Sequence, residues 1–233
     1  MKTTAIVLAG GSGKRMNSNV KKQFLQIHDK PLLYYALKAF EDSFIDSVIL
    51  VTSEEDKERC QKEIVEKYRF HKVKKIVCGG KERYHSVANG VMAAEECDYL
   101  FIHDGARPFV TQDMLIRLYK EVKKSNACVA GMPVKDTIKI ADVDGYIDST
   151  PRRDLVWMIQ TPQVFSYQLI SKAYAMLLKE ESSLIEKGIS ITDDAMVVET
   201  FFGEKVKLVE GSYKNIKVTT PEDISVAEGF LEV

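Results

Sequence analysis

Short apolar runs alternate along this chain with longer segments in which apolar residues recur every three or four positions. The short runs are typical of buried strands and the longer segments of amphipathic helices. The predicted strands are residues 5–9, 48–52, 73–78, 99–103, 128–134 and 206–209. The predicted helices are residues 31–41, 54–68, 86–95, 112–125, 167–181 and 193–202. Thr220-Pro221 indicates the start of one more helix, since proline favours the first helical position. This alternation predicts an α/β fold with a doubly wound, mostly parallel sheet.

Residues 135–160 interrupt the alternation. They contain short alternating pieces around an Asp144-Gly145 turn and no long helical segment, which predicts a β-hairpin arm leaving the main sheet. The arm would expose Ile138, Ile140, Tyr146 and Ile147, and such a surface calls for a partner. We therefore predict a single domain over residues 1–233 that forms a homodimer through an arm at about 135–160. The alternative is an arm folded back on its own domain.

Composition and charge limit the class of protein. Hydrophobic residues make up 45% and charged residues 29%, which is ordinary for a soluble globular chain. The formal net charge of −1 argues against non-specific nucleic-acid binding, which depends on a basic surface. No apolar stretch approaches the length of a membrane span, and no secretory leader precedes the first strand. We expect a cytoplasmic protein with neither a membrane nor a nucleic acid as partner.

The cysteines predict neither a metal site nor a disulfide framework. The four cysteines lie far apart without a C-x-x-C pair. Cys78 and Cys128 lie in apolar runs, so we expect both to be buried thiols.

The first predicted strand runs directly into a glycine-rich basic segment, TTAIVLAGGSGKRM, over residues 3–16. The segment contains three glycines and two basic residues, Gly10, Gly11, Gly13, Lys14 and Arg15. Glycine permits positive φ and a close approach of backbone N–H groups to an anion, and the basic residues add full charges. A P-loop is excluded because no Ser or Thr follows Lys14, and a dinucleotide fingerprint because Met16 stands at its third glycine. The segment predicts a phosphate site, the alternative being a tight turn with a basic tail.

Polar clusters follow three further predicted strands, at residues 79–83, 104–108 and 135–137. Ligands of open α/β sheets bind at the carboxyl ends of the strands, so these clusters predict one shared site. Asp104 is the candidate ligand for Mg²⁺, which takes one or two carboxylates plus substrate phosphates, or else it caps its own loop. Arg107 either binds phosphate or pairs with Asp104. His103 is expected to pack or hydrogen-bond locally and is assigned no chemistry.

Lys217 is predicted on a short strand just before a helix N-terminus, as an anion ligand or as a solvated edge residue. No serine or cysteine nucleophile motif is apparent. Basic residues around one carboxylate favour phosphoryl or nucleotidyl transfer, in which the protein positions groups and neutralises charge. A phosphate monoester as acceptor is already ionised near neutral pH and needs little help from a general base.

Several segments together resemble the 2-C-methyl-D-erythritol 4-phosphate cytidylyltransferases, members of the wider nucleotidyltransferase superfamily. They are LAGGSGKRM (8–16), KKQF (21–24), GGKERYHSV (79–87), HDGARPF (103–109), PVKDTIK (133–139), QTPQVF (160–165), ITDDA (191–195) and EGSYKNIKVTTPED (210–223). The resemblance implies a Rossmann-like nucleotidyltransferase fold. It also implies transfer of a cytidylyl group from CTP to 2-C-methyl-D-erythritol 4-phosphate, with Mg²⁺ and with release of pyrophosphate, in isoprenoid precursor synthesis.

The resemblance also implies roles for individual residues. Arg15 and Lys22 would stabilise charge around the α-phosphate, with Lys22 preferred over Lys21 because it directly precedes Gln-Phe. Arg153 and Lys217 would complete the catalytic set by holding the sugar phosphate. The nucleotide would be held by Ala9, Gly10, Gly11, Gly13, Gly80, Ser86 and Ala106. Asp104 would lie near the metal and both substrates, with Arg107 and Thr137 on the sugar phosphate. Thr137 and Arg153 would belong to an arm that reaches into the neighbouring subunit.

Two alternatives stay open at this point. The sister ribitol 5-phosphate cytidylyltransferases also have Leu-Ala-Gly-Gly where this chain has residues 8–11, whereas the Arg152-Arg153-Asp154 segment and ITDDA are closer to the methylerythritol branch. Another sugar phosphate as acceptor, or a non-catalytic nucleotide-binding protein, are further possibilities. Pure binding would not need Arg15, Lys22, Asp104 and Lys217 together.

Overall fold

The computed structural model describes residues 1–11, 20–95 and 97–232. The strands are β1 Thr3–Leu8, β2 Gln26–Ile27, β3 Lys30–Pro31, β4 Ser47–Thr52, β5 Val73–Cys78, β6 Tyr99–Asp104, β7 Ala127–Pro133, β8 Ile140–Ala141, β9 Ile147–Ser149, β10 Trp157–Ser166 and β11 Lys207–Glu210. The α-helices are α1 Leu32–Glu41, α2 Lys57–Arg59, α3 Arg83–Ala93, α4 Gln112–Ser125, α5 Tyr167–Glu186, α6 Asp194–Phe202 and α7 Pro221–Leu231. Short 3₁₀ turns cover Lys22–Phe24, Glu54–Asp56 and Arg153–Leu155.

Seven of the strands form one sheet in the order β11-β7-β10-β6-β1-β4-β5. β1 pairs in parallel with β4 and β6, β4 with β5, and β7 with β11. Only β10 runs antiparallel, between β6 and β7. The predicted α/β fold with a mostly parallel sheet is therefore confirmed.

The two faces of the sheet pack against different helices because side chains alternate along each strand. Ala5 and Val7 of β1 join an apolar cluster with residues of α1 and α4 on one face. Ile6 joins a second cluster with residues of α3, α5 and α6 on the other face. This double covering leaves the carboxyl ends of β1 and β6 as an edge where loops can form a site.

Strand β10 has no counterpart among the predicted strands. Its apolar pattern is interrupted by polar residues at Gln160, Thr161 and Gln163, and these side chains are nevertheless buried. Each of them hydrogen-bonds to a distant segment, such as Gln160 to the carbonyl of Ser212 at 2.8 Å. Burial of these polar groups thus depends on partners that a local pattern does not reveal.

The hairpin arm is present but shorter than predicted. β8 pairs antiparallel with β9, and Gly145 in the connecting turn has a φ of 87°, which suits the predicted Asp-Gly turn. The predicted boundary at 160 is wrong because residues from Trp157 onwards belong to the central sheet. Apolar side chains on the arm are exposed as expected, namely Ile138, Ile140, Tyr146 and Ile147, together with Val143.

Two other local expectations are corrected. The helix predicted over 54–68 is a mixed segment in which a 3₁₀ turn and α2 lead into a π-helix, Cys60–Glu66. Cys128 is buried as predicted, but Cys78 is only half-buried. The reason is that Cys78 lies on the edge strand β5, where its thiol contacts Glu54.

Within the described part of the chain, no helix combines the length and apolarity that crossing a membrane requires.

Candidate active site

A cavity of about 420 Å³ opens at the carboxyl ends of β1 and β6. Five separate segments line it, contributed by the glycine loop, the Lys22–Phe24 turn, the start of α3, the end of β6 and the loop before α7. Nine of the residues singled out in the sequence are in its wall, Ala9, Gly10, Gly11, Lys22, Gly80, Ser86, Asp104, Ala106 and Lys217. The fold therefore brings most of the expected site together in one place.

The described part of the glycine loop, Gly10 and Gly11, opens onto the cavity with ordinary backbone angles. Positive φ occurs at Gly145, Gly188 and Gly203, so the expectation of positive φ is wrong for Gly10 and Gly11. A Cβ atom on Gly11 would meet nothing within 4 Å, which leaves the backbone accessible to a ligand. The absence of a side chain at Gly11 therefore leaves room for a ligand beside the backbone, and neither Gly10 nor Gly11 adopts a backbone conformation that only glycine favours. Gly13 and Arg15 lie outside the described residues.

The structure distinguishes the two adjacent lysines of the second basic cluster. Lys21 Nζ donates to Asp56 Oδ2 at 2.8 Å and also contacts Glu55, so it is held by the β4–α2 connection. Lys22 instead lines the cavity. The preference for Lys22 over Lys21, taken from the Gln-Phe that follows, agrees with these positions.

The start of α3 forms a second side of the cavity. The Gly80 N–H donates to Ser86 Oγ at 3.0 Å, and Glu82 and His85 form a reciprocal cap on the helix. A Cβ atom on Gly80 would lie 2.3 Å from the Cβ of His85, so glycine is required for this close approach. The helix N-terminus faces the cavity with its partial positive charge, which suits an anionic or nucleotide ligand.

Asp104 lies almost fully buried at the end of β6, between two cations. Lys217 Nζ is 2.7 Å from Asp104 Oδ2, and Arg83 Nε is 3.4 Å from Oδ1. Burial by itself would raise the pKa of Asp104, but Arg83 and Lys217 outweigh it and hold the pKa well below its usual value. Asp104 is therefore an anion near neutral pH, and its side chain binds cations instead of capping the loop.

Lys217 reaches Asp104 from a loop and not from the predicted short strand. The segment before α7 is held against the end of β6 by a hydrogen bond from the Val218 N–H to the Ala106 carbonyl at 2.9 Å. It does not join the central sheet, so the strand prediction is wrong there. The pairing with Asp104 decides against a merely solvated edge position for Lys217.

Arg83 is the main site residue that sequence reasoning missed. Its guanidinium binds Asp194 with two hydrogen bonds of 2.9 Å each, and Asp194 also accepts 2.6 Å from the Tyr174 hydroxyl. Burial opposes the charge on Arg83, but Asp194 and Asp104 more than compensate and raise its pKa. The available signals were its place in the polar cluster after β5 and the two acids of ITDDA. The sequence does not reveal that Arg83 pairs with Asp194, because the two residues lie 111 positions apart.

Arg107 is held by a backbone carbonyl and does not form the expected pair with Asp104. Its guanidinium donates to the Asn215 carbonyl at 2.8 Å and not to Asp104, and the residue does not line the cavity. Arg107 thereby fixes the loop that carries Lys217. Its Nε and the Oδ1 of Asn215 are buried without a hydrogen-bond partner.

His103 is buried and hydrogen-bonds locally, as predicted. The Arg107 carbonyl can only accept, so His103 Nε2 carries the ring hydrogen and donates to it. Nδ1 of the neutral ring then accepts from Thr161 Oγ1, which itself accepts from the Asp104 N–H. Burial lowers the pKa of His103 to about 4. The neutral ring therefore holds the end of β6 and has no open nitrogen facing the cavity.

The two arm residues are not in the cavity wall of this chain. Thr137 and Arg153 are both exposed, and Arg153 donates to the Lys135 carbonyl at 3.3 Å. Neither residue belongs to the wall formed by the described parts of the same chain.

The described residues contain no group of three or more His, Cys, Asp or Glu side chains arranged to hold a metal ion. The described cavity wall contains two carboxylates, and that of Glu82 is engaged in the cap of α3, which leaves Asp104 as the candidate ligand. One carboxylate fits Mg²⁺ only if substrate phosphates supply further oxygen ligands, which is the usual manner in which proteins bind this ion with nucleotides. The donor set thus fits an ion that arrives with a triphosphate.

The site combines open glycine backbone, a helix N-terminus and several cations around Asp104. Such a set neutralises phosphate charge, and the serine of the described wall, Ser86, donates its hydroxyl hydrogen to the Glu82 carbonyl. The set suits an in-line attack of one phosphate on another, with the protein stabilising the developing charge.

Comparison with known proteins identifies relatives along the whole chain. The model of the 2-C-methyl-D-erythritol 4-phosphate cytidylyltransferase (IspD) family matches residues 3–233. The chain is 50% identical over 230 residues to the protein of that name from Lachnospira eligens, covering 98% of this chain and 99% of the relative. It is 48% identical over 233 residues to the one from Caldanaerobacter subterraneus, covering 99% of each chain.

Solved structures agree with these sequence matches. The crystal structure of the 4-diphosphocytidyl-2C-methyl-D-erythritol synthase from Anaerococcus prevotii superposes with a TM-score of 0.85 at 35% identity, covering 100% of this chain and 96% of that one. A 2-C-methyl-D-erythritol 4-phosphate cytidylyltransferase from Thermus thermophilus superposes with a TM-score of 0.80 at 29% identity, and both chains are covered completely.

Proposed function

The chain belongs to the 2-C-methyl-D-erythritol 4-phosphate cytidylyltransferase family, and from that premise we propose how its cavity performs the family's reaction. The enzyme transfers a cytidylyl group from CTP to 2-C-methyl-D-erythritol 4-phosphate. A phosphate oxygen of the acceptor forms a bond to the α-phosphorus of CTP while the bond to the β-phosphate oxygen breaks. The products are 4-diphosphocytidyl-2-C-methyl-D-erythritol and pyrophosphate, in isoprenoid precursor synthesis.

One observation carries the assignment of this reaction to the cavity. Residues from five segments of the chain, including the glycine loop, Lys22, Asp104 and Lys217, meet around one space of about 420 Å³. A lone nucleotide-binding turn would not need the buried carboxylate and its two cations. A site for two anionic substrates needs such a set of fixed charges, because the charges of both substrates must be neutralised at the same place.

We propose that CTP occupies the side of the cavity formed by the glycine loop and α3. Ala9, Gly10 and Gly11 approach the triphosphate through open backbone, with Gly13 continuing the loop. Gly80, Ser86 and Ala106 hold the nucleoside end. Lys22 and Arg15 stabilise the negative charge that develops around the α-phosphate as the new bond forms.

The acceptor phosphate lies on the side of Lys217. Asp104 fixes the ammonium group of Lys217 at 2.7 Å, and Arg107 fixes its loop through the Asn215 carbonyl. A lysine held in this way is a positioned positive charge and loses little side-chain entropy when the phosphate binds.

Mg²⁺ is the proposed cofactor, with Asp104 as its carboxylate ligand and the phosphates of CTP as the remaining ones. When bound, it would neutralise phosphate charge and favour departure of pyrophosphate. Lys217 and Arg83 already occupy the oxygens of Asp104, so the ion would share this carboxylate with them.

We propose that the enzyme works as a homodimer joined through the arm. The exposed apolar side chains of the arm support this, since Val143 is fully exposed and Tyr146 and Ile147 are largely exposed. Thr137 and Arg153 are then delivered to the acceptor site of the neighbouring subunit. Sedimentation equilibrium tests the proposal, and a monomer at micromolar concentration would contradict it.

We further propose a cytoplasmic location, where CTP is available as the donor.

The decisive experiment is incubation with CTP, Mg²⁺ and a panel of polyol phosphates while pyrophosphate release is followed. We expect turnover with 2-C-methyl-D-erythritol 4-phosphate and little with ribitol 5-phosphate. Turnover with ribitol 5-phosphate alone would instead favour the sister activity. CTP binding without pyrophosphate release from any acceptor would indicate a non-catalytic nucleotide-binding protein.

A further inference from the structure

A single buried carboxylate holds both chain neighbours of Lys22. The residue Asp56 is only 7% exposed, and its Oδ2 accepts from Lys21 Nζ at 2.8 Å and from Gln23 Nε2 at 3.2 Å. The same oxygen accepts from Ser53 Oγ at 2.7 Å, which orients the carboxylate from its own loop. Residues 21 and 23 are thereby tied to one oxygen atom of the β4–α2 connection.

The other end of the turn is anchored independently. Phe24 is buried, and the Arg59 guanidinium lies 3.9 Å from the centroid of its ring. The backbone of the turn is closed by a hydrogen bond from the Leu25 N–H to the Lys22 carbonyl at 3.1 Å. The side chains of Lys21, Gln23 and Phe24 are thus held by Asp56 and Arg59, at the start of the segment that follows β4.

Lys22 lies between the two residues that Asp56 holds, and it lines the cavity. Asp56 therefore restrains the backbone on both sides of Lys22. A lysine has four rotatable side-chain bonds, so restraint of its Cα position limits where its ammonium group can lie.

We infer that Asp56 is a positioning residue for Lys22, acting through Lys21 and Gln23. The inference rests on the proposed role of Lys22 at the α-phosphate and extends it to a residue that does not line the cavity. Asp56 then contributes to the rate of cytidylyl transfer and little to the binding of CTP.

A double-mutant cycle tests this inference. Asp56→Asn keeps the shape of the side chain and removes the charge that binds Lys21. We expect kcat to fall on the order of tenfold to a hundredfold with the KM for CTP nearly unchanged, since small misplacements of catalytic groups have such effects. In the Lys22→Ala background, the same substitution should have almost no further effect on kcat.

Two further variants separate positioning from loss of folding. Lys21→Met breaks the anchor while leaving Asp56 bonded to Gln23 and Ser53, so it should lower kcat by a smaller factor and again only when Lys22 is present. Asp56→Glu restores the charge and should recover part of the rate. Glu58→Gln is the matched control, because Glu58 is exposed on the neighbouring α2 and pairs with Lys62, away from the turn.

The outcomes are distinguishable. An unchanged kcat in Asp56→Asn, or an equal loss in the Lys22→Ala background, would overturn the inference while leaving the role of Lys22 intact. Full turnover by Lys22→Ala would overturn that role and the inference together. Melting curves for each variant show whether a lower rate reflects an unfolded protein. If Asp56→Asn does not fold, the kcat of Lys21→Met with and without Lys22 decides whether Asp56 positions Lys22.

Discussion

At the scale of single residues, the site is an alternating row of charges that runs from the cavity into the core. Lys217 binds Asp104, Asp104 lies beside Arg83, and Arg83 binds Asp194. Each internal member has an opposite charge on both sides, which offsets the cost of removing it from water. The row also keeps Asp104 ionised, so Lys217 and Arg83 keep their counterion across the neutral pH range.

The first prediction concerns the two cations assigned to the α-phosphate. Lys22→Ala and Arg15→Ala should each lower kcat on the order of 10²-fold or more, while part of the affinity for CTP remains. The physical reason is that their charges act most strongly on the transition state, where negative charge accumulates. Steady-state pyrophosphate release and equilibrium binding of CTP provide the two measurements. Wild-type turnover in both variants would refute the assigned roles.

The second prediction concerns the buried end of the charge row. Asp194 is fully buried, so Asp194→Asn should remove the nearer of the two counterions of Arg83 and lower the free energy of unfolding by about 3 kcal/mol. Urea unfolding of the two proteins measures the difference. Asp154→Asn is the control, since it removes the carboxylate of an exposed pair with Arg152 and should leave stability almost unchanged. Equal effects of the two substitutions would contradict the importance of burial.

At the scale of elements, each part of the site is positioned by a different secondary-structure end. β1 carries the glycine loop, β6 ends at Asp104, and α3 begins at Arg83 beside Gly80. Strand β10 supplies the internal support, because Thr161 holds both His103 and the Asp104 N–H. The hairpin arm lies apart from these ends, and its residues would complete an acceptor site only in a dimer.

The third prediction tests the arm. Arg153→Ala should lower kcat/KM for the acceptor phosphate by about tenfold or more, in keeping with loss of a charge-assisted hydrogen bond, and leave the KM for CTP unchanged. Arg152→Ala is a matched control, because Arg152 is its exposed neighbour and pairs with Asp154. An unchanged kcat/KM for the acceptor in Arg153→Ala would remove Arg153 from the site.

At the scale of the whole molecule, the sheet is stabilised on both faces by separate apolar clusters, and polar groups are buried where loops cross its carboxyl edge. His103 is among them, and it links β6 to β10 and to the turn at Arg107. The stability of the molecule should therefore depend on the protonation of a group that takes no part in the reaction.

The fourth prediction follows from the pKa of His103, which burial lowers to about 4 in the folded protein. Histidine in the unfolded chain has a pKa of about 6.5, so between these values the unfolded state binds the proton and the folded state does not. Stability should fall as the pH drops from about 6.5 towards 4, by about 3 kcal/mol from this group.

Urea unfolding of the wild type and of His103→Gln across this pH range measures the contribution. The variant lacks the titrating ring, so its stability should depend less on pH between 6.5 and 4.5. His71→Gln, at an exposed histidine, should retain the wild-type dependence. Parallel curves for the wild type and His103→Gln would contradict the prediction.

Much of this protein is determined by its sequence alone. The spacing of apolar residues predicts six strands of the central sheet and their flanking helices, because burial on one or both faces leaves a periodic local signal. Glycine and charged residues directly after the strands predict the edge at which the site forms. The Asp144-Gly145 pair likewise predicts the turn of the arm, since the required positive φ is a local property.

The tertiary structure alone decided the features that depend on partners far apart in the chain. The strand β10 is buried with polar residues whose hydrogen bonds go to other segments, so no local period indicates it. The pairing of Arg83 with Asp194 joins a residue of the cavity wall to a buried acid, and the anchoring of Lys21 by Asp56 distinguishes Lys21 from Lys22 in the wall. The sequence shows which residues are charged. The packing of distant elements decides where each charged group lies, because a long side chain extends towards the counterion that the fold places near it.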